Sequence, residues 1–277
     1  MNKLSIITIC YNEPNLEKTC QSIVNQTWQD FEWVVIDGGS NKETLDIFEK
    51  YKYRINKFIS EPDNGIYNAC NKGIKIAEGE YLIFMNAGDT FYDNEVLKLF
   101  NCFIEKNKAD VYYGNCECSL MQENNIGDFV SNYPKELTKE FFINSNICTQ
   151  GTFILKSLFD KYGLFNENYK VVADFEKWLQ FFNDGVIFKR IPVIVAVYDL
   201  NGISSNKKNR KLVSTERESL FRRYYTKSEI IAEEKKYKKA KTKQEFSFLE
   251  RIFSIKNSTG KTHKIITILG LSFRIKR

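Results

Sequence analysis

The sequence predicts an α/β fold with a mostly parallel central sheet flanked by helices, and three observations predict it. Short apolar runs alternate with stretches of helical periodicity through the N-terminal third. Two of these runs, Trp33-Val34-Val35-Ile36 and Tyr81-Leu82-Ile83-Phe84-Met85, are apolar without alternation, as strands covered on both faces are. Each of the first four runs ends in an acid or amide set among turn residues, the place where such sheets bind ligands.

Taken in order, strands are expected near residues 4–10, 32–37, 56–60, 80–86 and 110–118, and helices near 15–26, 42–52 and 66–77 between the first four. Gln150 to Leu155 reads as a further strand. Ala173 to Phe182 reads as a helix with an acidic first turn, ending near Gly185. Ile191 to Tyr198 is a strand, Asn201 to Ser205 a loop, and Lys207 to Glu250 a charged helical stretch. Two regions result: an α/β domain over 1–205 and a basic, largely helical extension over 206–277 that includes an apolar tail.

Composition narrows the class. Of the 277 residues 43% are hydrophobic, with only 14 Gly and 4 Pro and no repeat, which excludes collagen-like and disordered chains. The net charge of +6 is uneven: residues 1–200 hold 20 Lys and Arg against 28 Asp and Glu, and residues 201–277 hold 21 against 7. The basic end suits a polyanionic partner or a solvated helical face. Seven cysteines, several inside apolar runs, fit a reducing compartment. Cys116 and Cys118 alternate on a strand, but nothing stands at zinc-ligand spacing beside them. The one histidine is His263, in the tail. The start lacks the pattern of a signal peptide, and no apolar stretch approaches the roughly 20 residues that cross a bilayer. A cytoplasmic protein is expected.

The four strand ends are Tyr11-Asn12-Glu13-Pro14, Asp37-Gly38-Gly39-Ser40, Glu61-Pro62-Asp63-Asn64-Gly65 and Asn86-Ala87-Gly88-Asp89. Any one of them is an ordinary turn. Together they form a polar rim. No Gly-x-Gly-x-x-Gly follows the first strand and no Gly-x-x-x-x-Gly-Lys-Ser/Thr occurs, which argues against dinucleotide oxidoreductases and P-loop NTPases.

At these residues the sequence resembles the family 2 glycosyltransferases of GT-A fold, in particular the branch of bacterial exopolysaccharide and O-antigen synthesis. The resemblance spans roughly residues 3 to 205. It rests on Ser5-Ile6-Ile7-Thr8 with Tyr11-Asn12, on Val35 to Ser40, on Asn86 to Asp89, and above all on the run from Ser60 to Gly73. Ala173-Asp174-Phe175-Glu176 and Gly202-Ile203-Ser204-Ser205 follow in the family's order.

The resemblance implies an inverting transferase that takes a sugar from a nucleotide-diphospho-sugar, a UDP-sugar by preference, to a hydroxyl of a glycan or polyprenyl-diphosphate-linked acceptor. By it, Thr8, Tyr11 and Glu13 line the nucleobase pocket and Asp37 receives the base or ribose edge. Asp63 approaches the nucleotide, Lys72 points to the diphosphate or sugar, and Asn86 lies in the donor site. Asp89 matches the last acid of the Asp-x-Asp motif that holds a divalent cation, Mg²⁺ or Mn²⁺, while Ala87 stands in place of the first acid. Asp174 matches the general base, ahead of its neighbour Glu176. Thr149 stands where the family often has histidine.

Other classes compete with this reading. The missing acid at Ala87 favours a catalytically silent sugar-nucleotide-binding protein. A glycosidase on paired carboxylates leaves the nucleotide signature unexplained. Nucleic-acid binding through the basic end lacks a reading module. The tail from Ile265 to Phe273, between Lys261, Lys264 and Arg274, Lys276, Arg277, fits either an anchor on the anionic inner leaflet or a final strand or helix docked on the core.

Overall fold

The computed structural model describes residues 3–119, 129–200, 202, 207–257, 263–268 and 271–276. It forms two compact units, Met1–Thr138 with Ser145–Tyr224, and Lys139–Asn144 with Tyr225–Arg277.

The first unit opens with β1 (Leu4–Cys10), α1 (Leu16–Val24), β2 (Glu32–Asp37), α2 (Lys42–Tyr51), β3 (Lys57–Ser60), α3 (Ile66–Ile76) and β4 (Tyr81–Phe84), as the periodicity predicts. Every residue of β1, β2 and β4 is buried, which is why these strands read as continuous apolar runs. Strands β3, β2, β1 and β4 are neighbours in that order, all parallel.

Beyond β4 come β5 (Thr90–Phe91), α4 (Val96–Lys106), β6 (Val111–Ser119) and β7 (Phe129–Val130). After α5 (Lys139–Asn144), which belongs to the second unit, a 3₁₀ turn at Thr149–Gly151 leads into β8 (Thr152–Leu155) and α6 (Ser157–Tyr162). Then follow α7 (Ala173–Asn183), β9 (Phe188–Asp199) and α8 (Arg210–Tyr224). The sheet turns mixed here: β8 lies antiparallel between β4 and β6, and β9 runs parallel to β6 but antiparallel to β5.

The two sheet faces differ in how they are filled. Side chains of α1, α2 and α4, among them Leu16, Cys20, Phe48, Leu97 and Phe100, share one core with Ile6, Trp33, Val35 and Ile83. Phe100 stacks on Phe153 with centroids 3.8 Å apart and meets Tyr81 and Tyr112 edge to face. Truncating Phe100 to Ala would remove about 3–5 kcal/mol. On the other face α3 lies so near β1 and β2 that a Cβ at Gly73 would fall 2.5 Å from Ile7 Cγ2. Only glycine allows that approach, so this part of the signature run has a packing cause.

Two differences from expectation concern the C-terminal region. The contact boundary lies at Tyr224 and not near 205, because α8 packs on the first turn of α7 within the first unit. The second unit holds α5, α9 (Lys227–Ile252) and an antiparallel meander of β10 (Phe253–Asn257), β11 (His263–Ile268) and β12 (Leu271–Lys276). The extension is therefore helical only as far as Ile252. The run Ile265-Ile266-Thr267-Ile268 is wholly β-branched, and such side chains suit a pleated strand better than a helix. Thr226 caps α9: its N–H and hydroxyl donate to Glu229, whose own N–H donates back to the hydroxyl. The loop residues Asn201 and Ile203 to Ser205, and Lys261 and Arg277 of the tail, lie outside the described residues.

Candidate active site

The loops after β1, β2 and β3 are stitched together by short hydrogen bonds. Asn12 N–H donates to Ser40 Oγ at 2.9 Å, and Asn41 N–H donates to Asn12 Oδ1 at 2.8 Å. Asp37 is fully buried at the end of β2. Its Oδ2 accepts from Gly39 N–H (3.1 Å), Ser40 N–H (3.0 Å) and Ser60 Oγ–H (2.7 Å). Among the described residues its Oδ1 is buried with no hydrogen-bond partner. A buried carboxylate oxygen left open in this way is an acceptor waiting for a donor.

Asp63 joins this cluster. Its Oδ1 accepts from Gly65 N–H at 2.8 Å, and its Oδ2 lies so near the backbone of Gly38 that a Cβ there would meet it at 2.5 Å, which brings the two acid loops together. Tyr11 is 67% exposed, which leaves its ring available for stacking. Glu13 accepts from Asn15 N–H at 2.9 Å and lies beside Gly88, linking the first loop to the fourth. Asn86 in that fourth loop has a buried Oδ1 without a partner among the described residues.

Two expected donor contacts are engaged elsewhere. Thr8 is fully buried and its hydroxyl accepts from the Trp33 indole N–H at 3.0 Å, so it lies in the core between strands. Lys72 is paired with Glu61 at 2.7 Å and donates to Pro62 O at 3.2 Å, which holds it back along the loop after β3.

The two remaining acids are joined through one turn. Thr149 Oγ–H donates to Asp174 Oδ2 at 2.7 Å, and the next residue, Gln150, donates from Nε2 to Asp89 Oδ2 at 2.8 Å. Asp174 Oδ1 also accepts from Tyr67 O–H at 3.0 Å and from Phe175 N–H at 2.8 Å. The position at the start of α7 favours its negative charge. Burial nevertheless raises its pKa above the usual carboxylate range, against the pull of the Thr149, Phe175 and Tyr67 hydrogen bonds. Asp89 Oδ1 accepts from Asp199 N–H at 2.9 Å. Burial first, then the charges of Asp199 and Glu13, push Asp89 up to about 7.

Sequence reasoning missed Tyr67, Gln150 and the part played by Thr149. Tyr67 lies inside the signature run, but its partner is 107 residues away and no local pattern links them. The signature asparagines have a structural task. Asn71 donates to Phe165 O and Glu167 and accepts from Phe165 N–H, and Asn68 donates to Glu167, pinning the loop that leads to α7. Gln150 is itself fixed by Cys148, whose thiol donates to Gln150 Oε1 at 3.0 Å.

Among the described residues no group of three or more His, Cys, Asp or Glu is arranged to hold a metal ion. Asp89 remains the protein ligand that the resemblance implies. That fits Mg²⁺ or Mn²⁺ clamped mainly by donor phosphates and water, since such ions take as few as one or two carboxylates. The unpartnered Asn86 Oδ1 and the Glu13 and Asp199 charges, which disfavour an anionic Asp89 on its own, agree with a positive charge placed there.

Comparison with known proteins gives the chain its kin. The profile of Glycosyl transferase family 2 matches residues 5–163. The PGL/p-HBAD biosynthesis glycosyltransferase of Mycobacterium tuberculosis is 33% identical over 211 residues, covering 73% of this chain and 78% of that protein. The poly(ribitol-phosphate) beta-glucosyltransferase of Bacillus spizizenii is 32% identical over 119 residues, 40% of this chain and 19% of that one. Among solved structures, S. aureus TarS 1-349 in complex with UDP-GlcNAc superposes with a TM-score of 0.60 at 21% identity, over 71% of this chain and 58% of that one. The mannosyltransferase PcManGT from Pyrobaculum calidifontis, with GDP-Man and Mn²⁺, gives 0.54 at 16% identity, over 70% and 56%. These structural likenesses show the shared GT-A fold. With the family profile covering more than half of its length and a relative of one-third identity matching along most of both chains, the protein belongs to glycosyl transferase family 2.

Proposed function

We propose that the protein is an inverting glycosyltransferase that moves a sugar from a UDP-sugar to a hydroxyl of a glycan or lipid-linked glycan in cell-surface polysaccharide synthesis. The observation that carries this reading is the pair Thr149 and Gln150, adjacent residues that hold Asp174 and Asp89 from one turn. One acid serves each end of the transferring sugar. The open Oδ1 of Asp37 receives a donor N–H or O–H of the nucleoside, Asp63 lies beside it, and Tyr11 stacks on the base.

Asp174 Oδ2 accepts one hydrogen bond, from Thr149, and retains a lone pair for the acceptor proton. As the acceptor oxygen bonds to the anomeric carbon, its proton passes to Asp174 and the bond from that carbon to the diphosphate breaks on the opposite side. Configuration inverts. The carboxylate needs position more than strength, because the alcohol becomes acidic only as its new bond forms. Asp89, together with the donor phosphates, would hold a divalent cation, which would supply positive charge against the departing nucleoside diphosphate. Relatives named for PGL/p-HBAD and poly(ribitol-phosphate) support an envelope acceptor. The excess of 21 basic over 7 acidic residues after residue 200 supports contact with an anionic inner leaflet.

Initial rates against a panel of UDP-, GDP- and dTDP-sugars, each with Mg²⁺ and with Mn²⁺, test the proposal. A UDP-sugar consumed with inverted linkage is the expected result. Tight binding of a nucleotide sugar with neither transfer to any acceptor nor hydrolysis would leave a binding protein in its place.

A further inference from the structure

The phenol of Tyr67 ends on the proposed base, although nothing in its packing calls for a hydroxyl. Tyr67 stands in the first turn of α3, two residues after Gly65, and is buried. Its ring meets Phe165 with centroids 5.6 Å apart, and Phe165 in turn packs edge to face on Phe84 of β4 and Phe159 of α6. Asn71, one turn further along α3, clamps the Phe165 backbone from both sides: it donates to Phe165 O at 2.9 Å and accepts from Phe165 N–H at 3.0 Å. A phenylalanine at position 67 would fill the same place. The hydroxyl is the part that this packing does not use, and a buried phenol needs a polar partner.

That partner is Asp174 Oδ1, at 3.0 Å, and the same oxygen accepts from Phe175 N–H at 2.8 Å. A carboxylate oxygen has two lone pairs, so these two donors fill Oδ1 and direct an incoming proton to Oδ2. Among the described residues Oδ2 takes the Thr149 hydroxyl alone, at 2.7 Å. The Phe175 amide belongs to the same turn as Asp174 and follows α7 wherever that helix goes. Tyr67 reaches the carboxylate from α3, whose Gly73 lies against Ile7 of β1, so its hold refers the base to the sheet. Burial first, then the charge of Asp174, keep the Tyr67 hydroxyl well above its ordinary pKa, and it stays protonated as a donor.

We propose that Tyr67 is a positioning residue for the base: its hydroxyl occupies Oδ1, fixes the rotation of the carboxylate and leaves Oδ2 as the atom that takes the acceptor proton. This rests on the assignment of Asp174 as base and deepens it, by naming the oxygen that reacts and the side chain that selects it. Tyr67 itself neither gives up nor takes a proton. The run from Ser60 to Gly73 then serves both ends of the site, through Asp63 at the nucleotide and Tyr67 at the base.

The test is a double-mutant cycle on the full-length protein, read as initial rates of donor consumption with Mn²⁺ and the UDP-sugar that the nucleotide-sugar panel selects. Tyr67→Phe keeps the ring on Phe165 and removes the hydroxyl. Its kcat should fall about tenfold, the loss expected of one hydrogen bond to a charged group, with the donor KM unchanged. Added to Asp174→Asn, the same substitution should cost nothing further, because a residue that acts through the carboxylate has no effect once that carboxylate is gone. Placing 4-aminophenylalanine at position 67 returns a donor hydrogen to the ring and should restore kcat. Unchanged kcat in Tyr67→Phe, or a loss of the same size on top of Asp174→Asn, would overturn the proposal while the base stands. Should Tyr67→Phe fail to fold, the amine variant decides alone, and a kcat near about one-tenth of wild type counts against the proposal. Wild-type turnover in Asp174→Asn, or a wild-type protein that consumes no donor, would remove the base and this proposal with it.

Discussion

The two ends of the proposed site, a nucleotide end and a base end, are built by different means. At the nucleotide end, Asp37 takes two of its three hydrogen bonds from the second and third residues after it, and Asp63 is fixed by Gly65. At the base end, Asp174 is held by Tyr67 from α3 and Thr149 from the 3₁₀ turn, partners 107 and 25 residues away. One end is made by turns, and the other by the packing of separate elements. A turn keeps its geometry when distant parts shift, so the nucleotide end should tolerate remote substitutions that disturb the base.

The largest effect that would sharpen this contrast is expected from Asp174→Asn. Turnover should fall by about 10²- to 10⁴-fold with donor affinity nearly intact, as loss of a general base does. Calorimetric donor affinity beside initial rate measures both, and unchanged turnover would reduce Asp174 to a helix-start residue.

Asp89→Ala should remove stimulation by Mn²⁺ and lower turnover by about 10²-fold at saturating donor, the scale of losing charge stabilisation of a leaving group. The same acid gives a pH dependence. Because its carboxyl is pushed up to about 7, the charged form wanes as pH falls through 7, and Mn²⁺ affinity should drop by about tenfold per pH unit below that point. Wild-type activity in excess chelator would take the metal out of the mechanism.

Asp37→Ala should show the reverse pattern to Asp174→Asn: donor affinity lower by about 10- to 100-fold, from the loss of one or two hydrogen bonds to a charged group, with turnover little altered at saturation. Equal donor affinity in this variant would break the comparison, since the nucleotide end would then lie elsewhere.

Thr149→Val is the smallest change and the one most specific to the base end. The Thr149 hydroxyl stabilises the charged form of Asp174, so its removal raises a pKa that burial has already raised. The acid limb of the kcat/KM profile should move to higher pH, with a loss of about three- to tenfold on that limb and convergence with wild type at alkaline pH. A shift to lower pH would contradict the assignment.

What could be read in the sequence follows the same division. Strand ends with Asp, Asn and Gly are local signals, so the placement of Asp37, Asp63 and Asp89 at or just after strand ends was legible, and the parallel order of β-α units followed from continuous apolar strands. Helix α4 carries helical spacing at Val96, Leu97, Phe100, Phe103 and Ile104, a signal present but not placed in the β-α series. The antiparallel insertion of β8 between β4 and β6 was not legible, since pairing between strands far apart in the chain leaves no periodic trace. Lys72 illustrates the limit for side chains. Its spacing puts it on a helix face, but only the fold brings Glu61 within 2.7 Å to hold it.

The turn at Thr149 and Gln150 has a consequence for how this enzyme can change. Two successive residues act as a ruler between the carboxylates, so an insertion, or a glycine that loosens the turn, alters both spacings at once. Neither acid can be retuned through this link alone. Diversification toward new acceptors therefore has its open route in elements that touch only one side, and α8, which meets α7 through Arg217 and Arg223 and the segment before it through Glu216, is such an element. In engineering terms the turn is the part to leave untouched, and α8 the part to randomise.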